Sequence, residues 1–61
     1  MDKFLGRLVK LQGNWGVTAG VLVRIEYSLG LAWLVLIDEG KPEIEGWYNL
    51  SLIGGIVPYI P

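Results

Sequence analysis

The segment Gly20–Asp38 holds two apolar runs joined by a short turn, and it restricts the possible folds more than any other part of the chain. In the first run, Val21–Tyr27, the face formed by the odd-numbered residues is entirely apolar, whereas the opposite face carries Leu22, Arg24 and Glu26. Alternation of this kind, with β-branched residues on the apolar side, predicts a strand with one buried face. We therefore expect the odd-numbered residues of this run to point into the core.

The second run, Leu31–Ile37, is apolar at every position and predicts a strand that is covered on both faces. It is too short to cross a membrane, which takes about 20 apolar residues. The turn Ser28–Gly30 predicts a three-residue hairpin loop with a bulge, because Gly30 adopts positive φ without strain. A helix over the same region is disfavoured by this glycine and by the many β-branched residues.

The composition limits how such a chain becomes stable. Residues 1–61 form one predicted domain, and a chain of this size buries only about 60% of its unfolded surface. There is no cysteine and no histidine, so disulfides and the usual zinc sites are excluded, and we expect no cofactor. With 52% hydrophobic and 18% charged residues, the chain has more apolar surface than it can hide alone, which favours self-association or a partner surface.

The composition also bears on location. The lack of cysteine fits a reducing compartment, and we predict a cytoplasmic protein. Charged residues interrupt Met1–Leu11, so this segment does not match a leader peptide. Gly46–Pro61 is uncharged, but it has only 16 residues and contains Asn49 and Pro58, so no membrane span is predicted there.

The segment before the hairpin, Met1–Gln12, has two interpretations. It is either an amphipathic helix with one apolar face or a strand over residues 7–12. We favour the strand, with Val9 and Leu11 inside, because the hairpin needs sheet partners. A short helix at Asp2–Leu5 is compatible with that strand.

Two polar or glycine-rich segments predict loops. Gly13–Gly20 contains three glycines and Trp15, which either packs over one end of the core or stays exposed for a partner. Asp38–Glu45 predicts a solvated loop in which Gly40 and Pro42 enforce a turn. Its four carboxylates match no calcium-loop spacing and have no second group of distinct chemistry nearby, so we predict neither a metal site nor catalytic residues.

The C-terminal part predicts two short strands around a tight turn. Ile44–Asn49 carries two aromatic residues and predicts the fourth strand. At residues 49–51, the asparagine and serine side chains favour a tight or 3₁₀ turn through bonds to local backbone. After a break at two glycines, Ile56–Ile60 predicts the last strand, which should lie at a sheet edge because Pro58 lacks a backbone donor.

The charges are unevenly distributed along the chain. Residues 1–24 carry four basic residues and one acidic residue, for a net +3, whereas residues 25–61 carry one basic and five acidic residues, for a net −4. Opposite signs favour head-to-tail contacts or a charged partner. The alternative is that both sets are solvated surface groups, which contribute little.

Five short strands in this order resemble an SH3-like small β-barrel. Gly6–Leu11 is similar to the opening strand of such barrels, and Trp47–Ile53 is similar to their fourth strand leading into a 3₁₀ turn. Gly13, Gly16 and Gly20 faintly resemble the KOW motif, although its glycine spacing and its basic residues are missing here. The resemblance therefore implies an all-β, five-stranded SH3-like barrel and no particular ligand.

The function predicted from these features is a non-enzymatic interaction or accessory subunit that forms a homo-oligomer or docks on a larger protein. Trp15, Trp33, Trp47 and Tyr48 are the candidate contact residues, because aromatic residues are enriched at binding hot spots. The alternative is a small nucleic-acid-binding barrel, with aromatics that stack on bases. Five basic against six acidic residues weaken that alternative. An enzyme is weaker still, because the usual nucleophile arrangements are missing.

Overall fold

A computed structural model describes residues 2–60; Met1 and Pro61, the two ends of the predicted domain, lie outside the described residues. These residues form a single antiparallel sheet with the strand order β4-β3-β2-β1-β5. The strands are β1 (Leu8–Gly13), β2 (Gly16–Ser28), β3 (Leu31–Asp38), β4 (Lys41–Asn49) and β5 (Ile53–Pro58), and 3₁₀ turns span Asp2–Phe4 and Leu50–Leu52. The predicted all-β class, the five strands and the 3₁₀ turn before the last strand are confirmed. The sheet is not closed into a barrel by strand pairing: β4 and β5 are its two edges.

The N-terminal segment adopts the strand and not the amphipathic helix. Val9 and Leu11 of β1 are fully buried, whereas Lys10 between them is exposed, as the alternating pattern predicts. The short helix at the start is a single 3₁₀ turn, which places Phe4 in the core. This segment is tied to β2 by backbone hydrogen bonds, including one from Gly6 N to Leu22 O at 2.7 Å.

The prediction of a glycine-rich loop over Gly13–Gly20 is wrong. Only Asn14 and Trp15 separate β1 from β2, and the glycines belong to strands. Gly16 has φ +118°, which a side chain disfavours, so it permits the tight connection. Gly20 has a different role: a Cβ there would lie 2.8 Å from the carbonyl oxygen of Ile37, so only glycine lets β2 and β3 approach this closely.

Because of a β-bulge at Val23, the prediction that all odd-numbered residues of Val21–Tyr27 point into the core is wrong. The pairing with β3 passes from Leu22↔Leu36 directly to Arg24↔Val35, which leaves Val23 as the extra residue. Leu22, predicted on the outer face, is therefore fully buried, and Val23, predicted inside, is 36% exposed. A bulge shifts the alternation by one residue, so a single face assignment does not hold for the whole strand.

The turn between β2 and β3 is shorter than predicted. Ser28 pairs with Leu31, so the loop has two residues rather than three. Leu29 and Gly30 have φ values of +56° and +75°, and positive φ at both central positions is the geometry of a type I′ turn. This two-residue turn therefore has no bulge. The bulge of β2 lies earlier in the chain, at Val23.

The predicted loop at Asp38–Glu45 is mostly strand. The connection consists of Glu39 and Gly40, and the Asp38 carboxylate accepts a hydrogen bond from the backbone N–H of Gly40 at 2.8 Å. β4 then begins at Lys41, but its pairing jumps from Asp38↔Lys41 to Ile37↔Glu45, so residues 42–44 bulge outward. Pro42 is tolerated because β4 is an edge strand.

The C-terminal predictions are largely confirmed. Asn49 Oδ1 accepts hydrogen bonds from the backbone N–H and the hydroxyl of Ser51, at 2.9 and 2.8 Å, and so caps the second 3₁₀ turn. The last strand lies at a sheet edge as predicted, but its predicted bounds, Ile56–Ile60, are wrong: β5 spans Ile53–Pro58 and includes the two glycines that were expected to break it. The core cluster consists of Phe4, Val9, Leu11, Leu22, Leu34 and Leu36. No helix among residues 2–60 is long and apolar enough to cross a bilayer.

Candidate interaction surface

The four candidate aromatic residues form two separate pairs. The rings of Trp33 and Trp47 lie 6.5 Å apart between centroids and are tilted by 56°. The rings of Trp15 and Tyr48 are stacked, with centroids 5.5 Å apart and an angle of 27°. Trp47 and Tyr48 are successive residues of β4, so they point to opposite faces of the sheet, and the two pairs lie on opposite sides.

The Trp33–Trp47 pair lies on the outer face of β2, β3 and β4, the face turned away from the core cluster. Its central residue is Val35, which is fully buried although it is not a member of the core cluster. The cross-strand neighbours of Val35 are Arg24 on β2 and Trp47 on β4. Directly opposed side chains are in contact distance, so these large neighbours cover Val35 from outside. The predicted double coverage of β3 is thus confirmed over its middle, at residues 34–36.

An ion pair lies beside this tryptophan pair. Arg24 donates two hydrogen bonds to Glu45, from Nη1 to Oε2 and from Nη2 to Oε1, both at 2.9 Å. The Nε1 of Trp47 donates to Glu45 Oε1 at 3.3 Å, and the Arg24 guanidinium lies 5.9 Å from the centroid of the Trp47 ring. A bidentate pair of this kind fixes the orientation of both side chains. We call Arg24, Glu26, Trp33, Val35, Glu45 and Trp47 the outer patch.

The electrostatics of the outer patch follow from this pairing. The hydrogen bonds donated by Arg24, and then by Trp47, lower the pKa of the Glu45 carboxyl below its ordinary value. The same hydrogen bonds with Glu45 raise the pKa of Arg24. Glu26 is more loosely held, since its carboxylate lies 3.9 Å from Arg24 Nε. Arg24, one of the four basic residues in residues 1–24, is therefore paired within the chain. Attraction of a charged partner by the remaining charges stays a prediction.

The second aromatic pair covers one end of the core. Trp15 Nε1 donates to Thr18 Oγ1 at 3.0 Å, and the ring lies over Gly13, where a Cβ would clash with it. Tyr48 packs against the core cluster and lies close over Gly46. Trp15 thus stacks on Tyr48 and also keeps part of its surface exposed, and a partner contact by that exposed part stays a prediction.

The sequence interpretation named all four aromatic residues but missed the groups that hold them. Arg24 and Glu45 are 21 residues apart, and only the register of two successive hairpins brings them together. Val35 was recognised as apolar, but its place under the tryptophans depends on the same register. Among residues 2–60, no group of three or more carboxylate side chains is positioned to hold a metal ion.

The chain was compared with protein-family models, with curated proteins and with solved structures, and none of the three comparisons found a match. The function is therefore argued from the outer patch alone.

Proposed function

We propose that this protein is a non-enzymatic interaction subunit that forms a homo-oligomer or docks on a larger protein, with the outer patch as its contact surface. The observation that supports this most is the Trp33–Trp47 pair on the solvent-facing side of the sheet, where the Arg24–Glu45 ion pair contacts Trp47. Tryptophan and arginine are the residue types most enriched at binding hot spots. Trp47 remains 43% exposed, so a partner has apolar surface to cover.

The fixed orientation of side chains in the outer patch also supports the proposal. Immobilising a flexible side chain on binding normally costs about 0.5–1.5 kcal/mol in conformational entropy. Side chains that are already fixed before binding avoid most of this cost. Arg24 and Trp47 are fixed by their hydrogen bonds to Glu45, and Val35 is packed beneath them. A partner therefore meets a surface that needs little ordering.

The finer fold assignment and the location belong to the same proposal. The strand order, the long bulged β2 and the 3₁₀ turn before β5 support an SH3-like small barrel, the class that the sequence resembles. The KOW resemblance has no support of this kind, because the glycine-rich segment forms a hairpin without basic residues. A cytoplasmic location fits the lack of cysteine.

Site-specific photo-crosslinking in cells of the native source tests the proposal. A benzoyl-phenylalanine at position 47 places the crosslinker in the outer patch, and one at position 57, an exposed valine on the edge strand β5, is the matched control. We expect discrete protein adducts, either with a second copy or with one larger protein, from position 47 only. Equal adducts from both positions, or none from position 47, would contradict the proposal.

Nucleic-acid binding is the competing function, and a fluorescence titration separates it. Trp33 and Trp47 report on any base that stacks at the outer patch. Quenching by a single-stranded oligonucleotide at low salt, reversed as salt is raised, would replace the proposal by nucleic-acid binding. We expect no quenching, because the only basic residue of the outer patch, Arg24, is already paired with Glu45.

A further inference from the structure

The tip of the β2–β3 hairpin exposes a strained leucine. Leu29 is the only residue besides glycine with positive φ among residues 2–60, and it is 92% exposed. The first central position of a type I′ turn favours asparagine, aspartate or glycine, since a side chain such as leucine is strained there. A side chain that is almost fully exposed makes no contact within the chain that offsets this strain. An apolar group in that position is therefore unfavourable for the isolated chain.

The strained leucine continues an exposed apolar stripe. Leu31 follows it and is exposed, and Trp33 and Trp47 come next on the outer face. Leu31 and Trp33 are two residues apart on β3, so their side chains point to the same face. We call Leu29, Leu31, Trp33 and Trp47 the apolar stripe. Tyr27, at the same tip, is 82% exposed, but it pairs with Ala32 and so lies on the opposite face of the hairpin from the stripe.

The distribution of charge indicates what covers this stripe. Residues 27–37 contain no ionisable side chain except the tyrosine, so two copies of the tip meet without repulsion. The flank of the stripe carries both signs, with Arg24 beside Glu26 and Glu45. A second copy with the same flank offers its Arg24 to the carboxylates of the first copy, and its own carboxylates to the first copy's Arg24. An anionic bilayer is disfavoured, because the charged residue nearest the tip in sequence is Glu26 and the chain has a net charge of −1.

We propose that the apolar stripe is a homodimer contact in which the same stripe of a second copy covers Leu29. An isologous contact of this kind closes as a twofold dimer. The inference rests on the proposed function and narrows it to one partner and one surface. Four side chains from each copy make a small interface, so we expect a weak dimer with a dissociation constant in the micromolar range or higher.

Sedimentation equilibrium from about 1 µM to about 1 mM measures this dimer. Leu29→Asn removes the apolar anchor and suits the turn, so the variant stays folded, with a higher Tm than the wild type. Val17→Asn replaces an exposed valine near the opposite end of β2 and is the matched control. We expect a dimer for the wild type and for Val17→Asn, and a dissociation constant at least tenfold higher for Leu29→Asn.

Three results would overturn the inference. A wild type that is monomeric at about 1 mM excludes the dimer; the crosslink at position 47 then decides separately whether the outer patch docks on another protein. A Leu29→Asn variant that dimerises as tightly as the wild type moves the contact away from the tip but leaves a homo-oligomer. Binding of a monomeric wild type to phosphatidylcholine or phosphatidylserine vesicles, lost in Leu29→Asn, would make a bilayer the occupant of the tip.

Discussion

The bulge at Val23 makes neighbouring residues of β2 energetically unequal, and paired substitutions test this directly. Leu22 is fully buried in the core cluster, whereas Val23 is 36% exposed. Leu→Ala at a fully buried site costs about 2–5 kcal/mol, from lost burial and from the cavity that remains. Val23→Ala removes two partly exposed methyl groups, which corresponds to about 0.5–1 kcal/mol at about 0.8 kcal/mol per fully buried group.

These losses are large relative to the whole. A domain of 61 residues has a free energy of unfolding of roughly 3–9 kcal/mol, at 0.05–0.15 kcal/mol per residue. Leu22→Ala therefore removes a large share of the stability, and its urea midpoint should fall sharply. Val23→Ala should shift the midpoint only slightly.

Urea denaturation followed by far-UV circular dichroism measures both variants. The slope of the free energy with urea should match the wild type, which shows that the same surface is exposed on unfolding. Under strict alternation without a bulge the order is reversed, with Val23 inside and Leu22 outside. A Val23→Ala loss equal to or greater than the Leu22→Ala loss would therefore refute the bulge and the register of β2 on β3.

Three further predictions concern single positions. Leu29→Asn should raise the free energy of unfolding by about 1 kcal/mol by relieving positive φ at a leucine, seen as a rise in Tm of about 4–8 °C; an unchanged or lower Tm would contradict the strain. The hydrogen bonds from Arg24 lower the pKa of Glu45, so their stabilisation is present above the unfolded pKa of about 4.3 and is lost as pH falls through the folded value. Melting from pH 7 to pH 3 should show a smaller acid loss for Glu45→Gln than for the wild type, and equal losses would contradict the pairing. Gly20→Ala should cost about 1–3 kcal/mol in urea denaturation, because its Cβ would lie 2.8 Å from the Ile37 carbonyl oxygen, and a neutral result would place β2 further from β3.

Strands whose burial is set by local alternation could be predicted from the sequence. Val9 and Leu11 alternate with exposed residues, and their strand was placed correctly. The turn at Asn49 could also be predicted, because its side chain bonds to backbone only two residues away. Pro58 predicted an edge strand for an equally local reason.

The errors arise where one residue type has two physical roles. Gly20 reads as a loop glycine in the sequence, but it is needed for the close approach of two backbones. Leu22 and Val23 are both apolar, so nothing in the pattern shows which of them is inside once a bulge is allowed. The ion pair of Arg24 and Glu45 depends on two hairpin registers, which no local pattern determines.

The apolar run of β3 connects these local facts to the proposed function. Leu34 and Leu36 are covered by the core, but Val35 lies on the other face and is buried by side chains of the same chain. A strand that needed a partner to cover its outer face would leave Val35 exposed in the single chain. Because Val35 is already buried, the partner proposed for the outer patch would contact the exposed surface of Trp47 and the hairpin tip rather than the centre of β3. The proposed binding would therefore depend on Trp47 and Leu29, and the burial of Val35 does not require it.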